Sequence, residues 1–206
     1  MTTAIEQRMG LDEYLAYDDG TDRRYELIDG VLVEMGAEST INIQIATFLL
    51  IHFVSLGVPY YLITSKTEVA VPSRFAKTRY PDLMVMTEEL EAAMEASARS
   101  IVLPEMPAPR LVVEVVSPGE PGEENYDRDY VEKRREYAAR GISEYWIVDP
   151  THRVIVVLVL EGEVYRELGV FGEGECLKSA EFEDLALTVE QVLRAGREPS
   201  GFCINP

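Results

Sequence analysis

The chain of 206 residues is 47% hydrophobic and 27% charged, the usage of an ordinary globular domain, with enough length to bury a core without disulfide or metal staples. Nineteen Lys and Arg stand against 37 Asp and Glu, a net charge of −18. That balance excludes a protein that coats nucleic acid with a general basic surface, but leaves room for a local basic groove or for carboxylates whose charge a metal offsets.

Residues 11–18 (LDEYLAYD) predict a short helix. RRYELI (23–28) and VLVEM (31–35) predict two strands joined at Asp29-Gly30, a dipeptide that accepts the positive φ angles of a tight hairpin. A long amphipathic helix is expected over 38–56, where Ile41, Ile45, Phe48, Leu49, His52 and Phe53 recur at spacings of three and four and Gly57-Val58-Pro59 ends the pattern. Residues 60–64 and 67–71 predict a second pair of strands, and 72–78 a polar loop with Arg74 and Lys77. YPDLMVMT (80–87) reads as a strand with Pro81 near its start, and 88–98 as an acidic helix. LVVEVVS (111–117), apolar and β-branched around Glu114, predicts a central strand buried on both faces. A helix over 127–140 ends at Gly141, strands follow at 143–148, 154–160 and 164–170, and 188–195 forms a last short helix. This order predicts an α/β (α+β) fold: a mixed central sheet flanked by helices in a single domain over 1–206, with its core at about 11–195.

Glu114 is the most informative residue, because a carboxylate inside a buried apolar strand costs several kcal/mol, of order ~3, unless something pairs with it. The pairing is either a structural hydrogen bond or ion pair, or the role of metal ligand or general base. Asp82 also sits in an apolar run, Leu83-Met84-Val85-Met86. If the two strands are neighbours, both carboxylates share one face, and a hard divalent ion such as Mg²⁺, or Mn²⁺ in its place, relieves their repulsion. Glu26 is a third candidate, or simply the polar face of a half-buried strand. Lys133 either pairs with Asp129 one helical turn away or points back to the end of the central strand, where its amine would stabilise charge on a phosphate. Four basic residues (Lys66, Arg74, Lys77, Arg79) against one acid in 65–80 make a locally positive approach for phosphate, whereas 161–184 holds eight acids against two basic residues.

In order, YELIDG (25–30), YPDLMVM (80–86), LVVEVVSPG (111–119), D-x-x-x-K (129–133) and EYAARGISEYWIVDP (136–150) resemble the Uma-two family of endonucleases, within the restriction-endonuclease-like PD-(D/E)xK superfamily. The resemblance runs from about residue 11 to about 195. It implies a mixed four-stranded core sheet flanked by helices and Mg²⁺-dependent cleavage of phosphodiester bonds, with DNA as the expected substrate. Asp82 and Glu114 would be the metal ligands. The motif's lysine would stand at position 116, where this chain has Val116; a lysine migrated to the next helix matches Lys133. Glu26 would match the family's early acidic residue, supporting the metal through water.

Two cysteines, Cys176 and Cys203, do not make a disulfide framework and fit a reducing compartment. Two histidines, His52 and His152, argue against a histidine-built zinc site or a Ser-His-Asp triad. No leader pattern opens the chain and no apolar run reaches the roughly 18 residues of a membrane span, so a cytoplasmic protein without membrane contact is expected. The strands at 143–160 are long, apolar and aromatic (Tyr145, Trp146, Ile155, Val156, Val157, Leu158), more so than a small sheet edge usually leaves exposed, and predict a homodimer. The alternative to a nuclease is a catalytically silent binding or oligomerisation module on the same fold. A hydrolase acting on a small phosphorylated metabolite would share the site.

Overall fold

The computed structural model describes residues 8–21, 23–37, 39–95, 97 and 99–197. Cys203, half of the cysteine argument, lies outside the described residues, as do Glu38 at the expected start of the long helix and the first seven residues of the chain.

Helix α1 (Leu11–Leu15) precedes the hairpin of β1 (Tyr25–Ile28) and β2 (Val31–Glu34). Its turn has φ +50° at Asp29 and +82° at Gly30, the two positive angles that Asp-Gly was expected to supply. A Cβ at Gly30 would lie 2.7 Å from Arg8 Cβ and 3.1 Å from the Met9 carbonyl oxygen. Gly30→Ala is therefore expected to cost about 1–3 kcal/mol, read as a lowered midpoint in chemical denaturation.

Helix α2 (Thr40–Ser55) is capped by Ser39, whose hydroxyl accepts from the Asn42 N–H. It is followed by a 3₁₀ turn (Tyr60–Leu62), β3 (Ile63–Thr64), β4 (Glu68–Ala70), β5 (Thr78–Arg79), β6 (Leu83–Val85), α3 (Glu88–Met94), β7 (Ile101–Val102) and β8 (Leu111–Val115). Helix α4 (Glu124–Asp127), a π-helical turn (Arg128–Glu132) and helix α5 (Lys133–Arg140) run on without a break to Gly141, which has φ +82°. The chain closes with β9 (Glu144–Asp149), β10 (Val154–Glu161), β11 (Val164–Phe171) and α6 (Val189–Leu193).

The main sheet is mixed, six strands in the order β11-β10-β9-β8-β6-β3, with β8 and β9 parallel and the other pairs antiparallel. Its two faces follow the period-two alternation of the strands. Leu83, Val85, Leu111, Val113, Val115, Trp146 and Val148 pack on α2 and α6. Met84, Val112, Val116, Tyr145 and Ile147 pack on α5. Among the described residues no helix is long and apolar enough to cross a membrane.

Three expectations are corrected. The strands predicted at 60–64 and 67–71 do not pair with each other: β3 joins β6 in the main sheet, while β4 lies between β5 and β7 in a separate three-stranded sheet. The apolar strands at 143–160 are interior, not an outward face. Tyr145, Trp146, Ile155, Val157 and Leu158 are fully buried within one copy, because α2 and α6 cover one face of the sheet and α5 the other, while β11 takes the edge beside β10. The argument for a homodimer drawn from those strands therefore falls. Lys77 and Arg79, expected on a positive approach for phosphate, are buried, and their charges are spent inside the molecule on Glu132 and Glu136. Only Lys66 and Arg74 of that group are exposed.

Candidate active site

The register of β6 against β8 decides where the two acids go. Leu83 pairs with Val113, and one step further along Asp82 Oδ2 accepts the Val115 N–H at 2.6 Å. Asp82 thus stands beside Glu114, on the sheet face that carries Met84 and Val112. Opposed residues of an antiparallel pair project to the same side, so the carboxylates are neighbours at the ends of adjacent strands. Both line one cleft of about 320 Å³, together with Glu26, Asn42, Arg128, Asp129 and Lys133.

The π-helical turn sets the amine. Its hallmark bond runs from the Lys133 N–H to the Arg128 carbonyl, five residues back. Lys133 Nζ lies 2.8 Å from Glu114 Oε2 and 2.7 Å from Asp129 Oδ1. The sequence offered two destinations for Lys133, a surface pair with Asp129 or the end of the central strand; the fold satisfies both, because Asp129 is itself buried. Position 116, where the family motif would carry its lysine, holds Val116, which is buried on the same sheet face as Glu114.

Burial pushes the Glu114 carboxyl up to about 8; Lys133 opposes that rise, and Asp82 and Asp129 add to it. Burial works against the Lys133 ammonium, yet Asp129 and Glu114 outweigh it and hold the amine above its ordinary value. The centre is short of positive charge: six carboxylates (Glu26, Glu34, Asp82, Glu114, Glu124, Asp129) line the cleft against Lys133 and Arg128.

Glu26 reaches the same cleft but is tied back: its Oε1 accepts the Tyr80 N–H at 3.0 Å, and its Oε2 lies 3.8 Å from the Arg79 guanidinium. Three contacts were missed in the sequence. Tyr137, one turn after Lys133, donates its hydroxyl to Glu114 Oε1 at 2.5 Å; helical spacing was the available signal. Asn42 donates its side-chain amide to the Val115 carbonyl at 2.9 Å; its signal was a polar residue next to the apolar stripe of α2. Arg128 leans on Asp129, with Nε 3.6 Å from Oδ1; in sequence it is one of several charged residues of its helix, with nothing to set it apart.

The donors suit a hard cation. They are carboxylate oxygens crowded at strand ends, and Mg²⁺ is commonly held by one or two carboxylates completed by water and phosphate oxygens. Among the described residues no set of three or more His, Cys, Asp or Glu is gathered in metal-holding geometry, so the protein's share would be the pair Asp82 and Glu114.

Comparison with known proteins adds three findings. No functionally curated protein shows significant similarity to the chain. A crystal structure described as "a putative nuclease belonging to DUF820 from Anabaena variabilis ATCC 29413" superposes with a TM-score of 0.68 at 17% sequence identity, over 91% of this chain and 98% of that one. That likeness shows a shared fold, the restriction-endonuclease-like arrangement expected from the sequence. A family model described as "Uma2: Putative restriction endonuclease" matches residues 11–190, and the chain therefore belongs to the Uma2 family.

Proposed function

We propose that this protein is a Mg²⁺-dependent endonuclease that hydrolyses phosphodiester bonds of nucleic acid, DNA in the first instance. The observation that carries the reading is the meeting of Asp82 and Glu114 in one cleft, with the Lys133 amine 2.8 Å from Glu114. Asp82 and Glu114 would hold the divalent ion. When bound, such an ion lowers the pKa of a water molecule and offsets charge on the phosphate. Lys133, the cation paired with Glu114, would stabilise charge growing on the phosphoryl oxygens, and its two carboxylate partners keep it charged and fixed in direction. Tyr137 and Asn42 brace the strand end that bears Glu114. Glu26 supports the approach from the β1 side and is the candidate for an outer contact through water.

One observation favours a second reading. The Lys133 amine is already satisfied by two buried carboxylates, as in a purely structural ion triad on a catalytically silent module. Thermal denaturation with and without Mn²⁺ separates the two. A nuclease site gains about 2.7 kcal/mol of stability at one hundred times the dissociation constant, and Asp82→Ala removes that gain. A silent module shows no metal-dependent shift in either protein and no Mn²⁺-dependent nicking of plasmid DNA.

A further inference from the structure

The cleft is acidic on most of its rim, with exposed Glu34 and Glu124 among its walls. A polynucleotide can approach Asp82 only where that rim opens to positive charge, and one such place exists among the described residues. A groove of about 510 Å³ runs up to Asp82, lined by Arg24 and Lys66, with Ile43, Thr47 and Leu50 of α2 as its floor. Asp82 is its one acidic lining residue. Arg24 lies over the Tyr80 ring, 5.3 Å from its centre, and Tyr80 in turn donates its hydroxyl to the Lys66 carbonyl at 2.8 Å. Two cations and an aromatic ring are thereby held together beside the first carboxylate of the site. The floor is apolar, with Ile43 49% exposed.

We infer that this groove is the path of a single DNA strand, so that the substrate is single-stranded DNA or an unpaired segment of it. The inference rests on the reading of the cleft as a phosphodiesterase site. Charge decides against a duplex. Double-stranded DNA carries a negative charge about every 1.7 Å along its axis, and its second strand would bring further phosphates against a chain of net charge −18 with acidic walls around the cleft. One strand needs one narrow cationic lane. Its unpaired bases also present flat apolar faces, which the Ile43 and Leu50 floor can receive, whereas a duplex keeps those faces inside.

The test compares one fluorescent oligodeoxynucleotide as a single strand and annealed to its complement, with Ca²⁺ for binding by anisotropy and Mn²⁺ for cleavage. The single strand is expected to bind about tenfold or more tightly than the duplex, and to be cut in preference. Arg24→Ala/Lys66→Ala should weaken single-strand binding about tenfold and reduce the slope of log affinity against log salt by about 1.4, two contacts' worth. Arg74→Ala/Arg135→Ala removes the same charge from another exposed surface and should change binding by less than about threefold. Equal or tighter binding and cutting of the duplex overturns the single-strand assignment and leaves the nuclease reading intact. If the two double variants behave alike, the groove is not the path. If the single strand binds as expected but neither form is cut, the nuclease reading falls and the binding groove stands.

Discussion

Lys133→Met will lower turnover of a cleaved DNA substrate by about 10²–10³-fold, the usual loss when one preorganised electrostatic partner of a transition state is removed. The amine sits 2.8 Å from Glu114 and 2.7 Å from Asp129, both buried, so the substitution also strands two carboxylates without their cation. Breaking a buried pair in this way costs about 3–5 kcal/mol, and the variant should be assayed well below its own unfolding midpoint. Metal titration separates the two effects. Removing a neighbouring positive charge leaves Asp82 and Glu114 a better divalent site, so Mn²⁺ should bind Lys133→Met at least as tightly as the native chain, measured by calorimetry. Tight metal binding with lost turnover assigns the amine to the chemistry. Turnover within about threefold of native, with the metal bound, would exclude it.

Glu136→Ala should unfold the protein more easily by about 3–5 kcal/mol, because it leaves Arg79 and Lys77 buried and unanswered. Arg79 is 1% exposed and donates to both Glu136 oxygens, at 2.7 and 3.2 Å, and Lys77 Nζ lies 2.7 Å from Glu136 Oε1. Glu132, at 3.0 Å from Arg79, is half exposed and cannot replace the lost carboxylate in a dry setting. The network also reaches Glu26, 3.8 Å from Arg79, and it clamps the helix that carries Lys133 to β5. Urea denaturation reads the loss. The combined change Lys77→Met/Arg79→Met/Glu136→Leu should recover most of it, since apolar residues of similar volume replace buried ion pairs at little cost. A loss below about 1 kcal/mol for Glu136→Ala would show that water reaches the cluster.

Much of the fold was legible because its signals are local. Asp29-Gly30 specifies a turn through backbone angles that few other dipeptides adopt, and the apolar run around Glu114 marks a central strand whatever its neighbours. The candidate site was legible in part for the same reason. A carboxylate inside such a run announces itself, and the spacing of Asp129 and Lys133 places both on one side of a helix. Tyr137, at the same spacing from Lys133, carried no comparable oddity, since a tyrosine in an amphipathic helix is ordinary core. The pairings of residues 60–71 were not legible: two short runs give no indication of which sheet each will join, and the outcome depends on distant strands such as β7.

The amino-acid order by itself determined most of the strand and helix sequence, though not the short strands β5 and β7, as well as the buried position of Glu114 and the family to which the chain belongs, because propensity, periodicity and short motifs act over a few residues. Tertiary structure alone decided which charges count. Lys77 and Arg79 read as surface cations until packing against α5 buried them, and Asp129 read as half of a surface ion pair until the π-helical turn carried it inward beside Glu114. Solvation is the reason: a charge is worth little in water and much out of it, and whether water reaches a side chain is settled by segments far away in the chain.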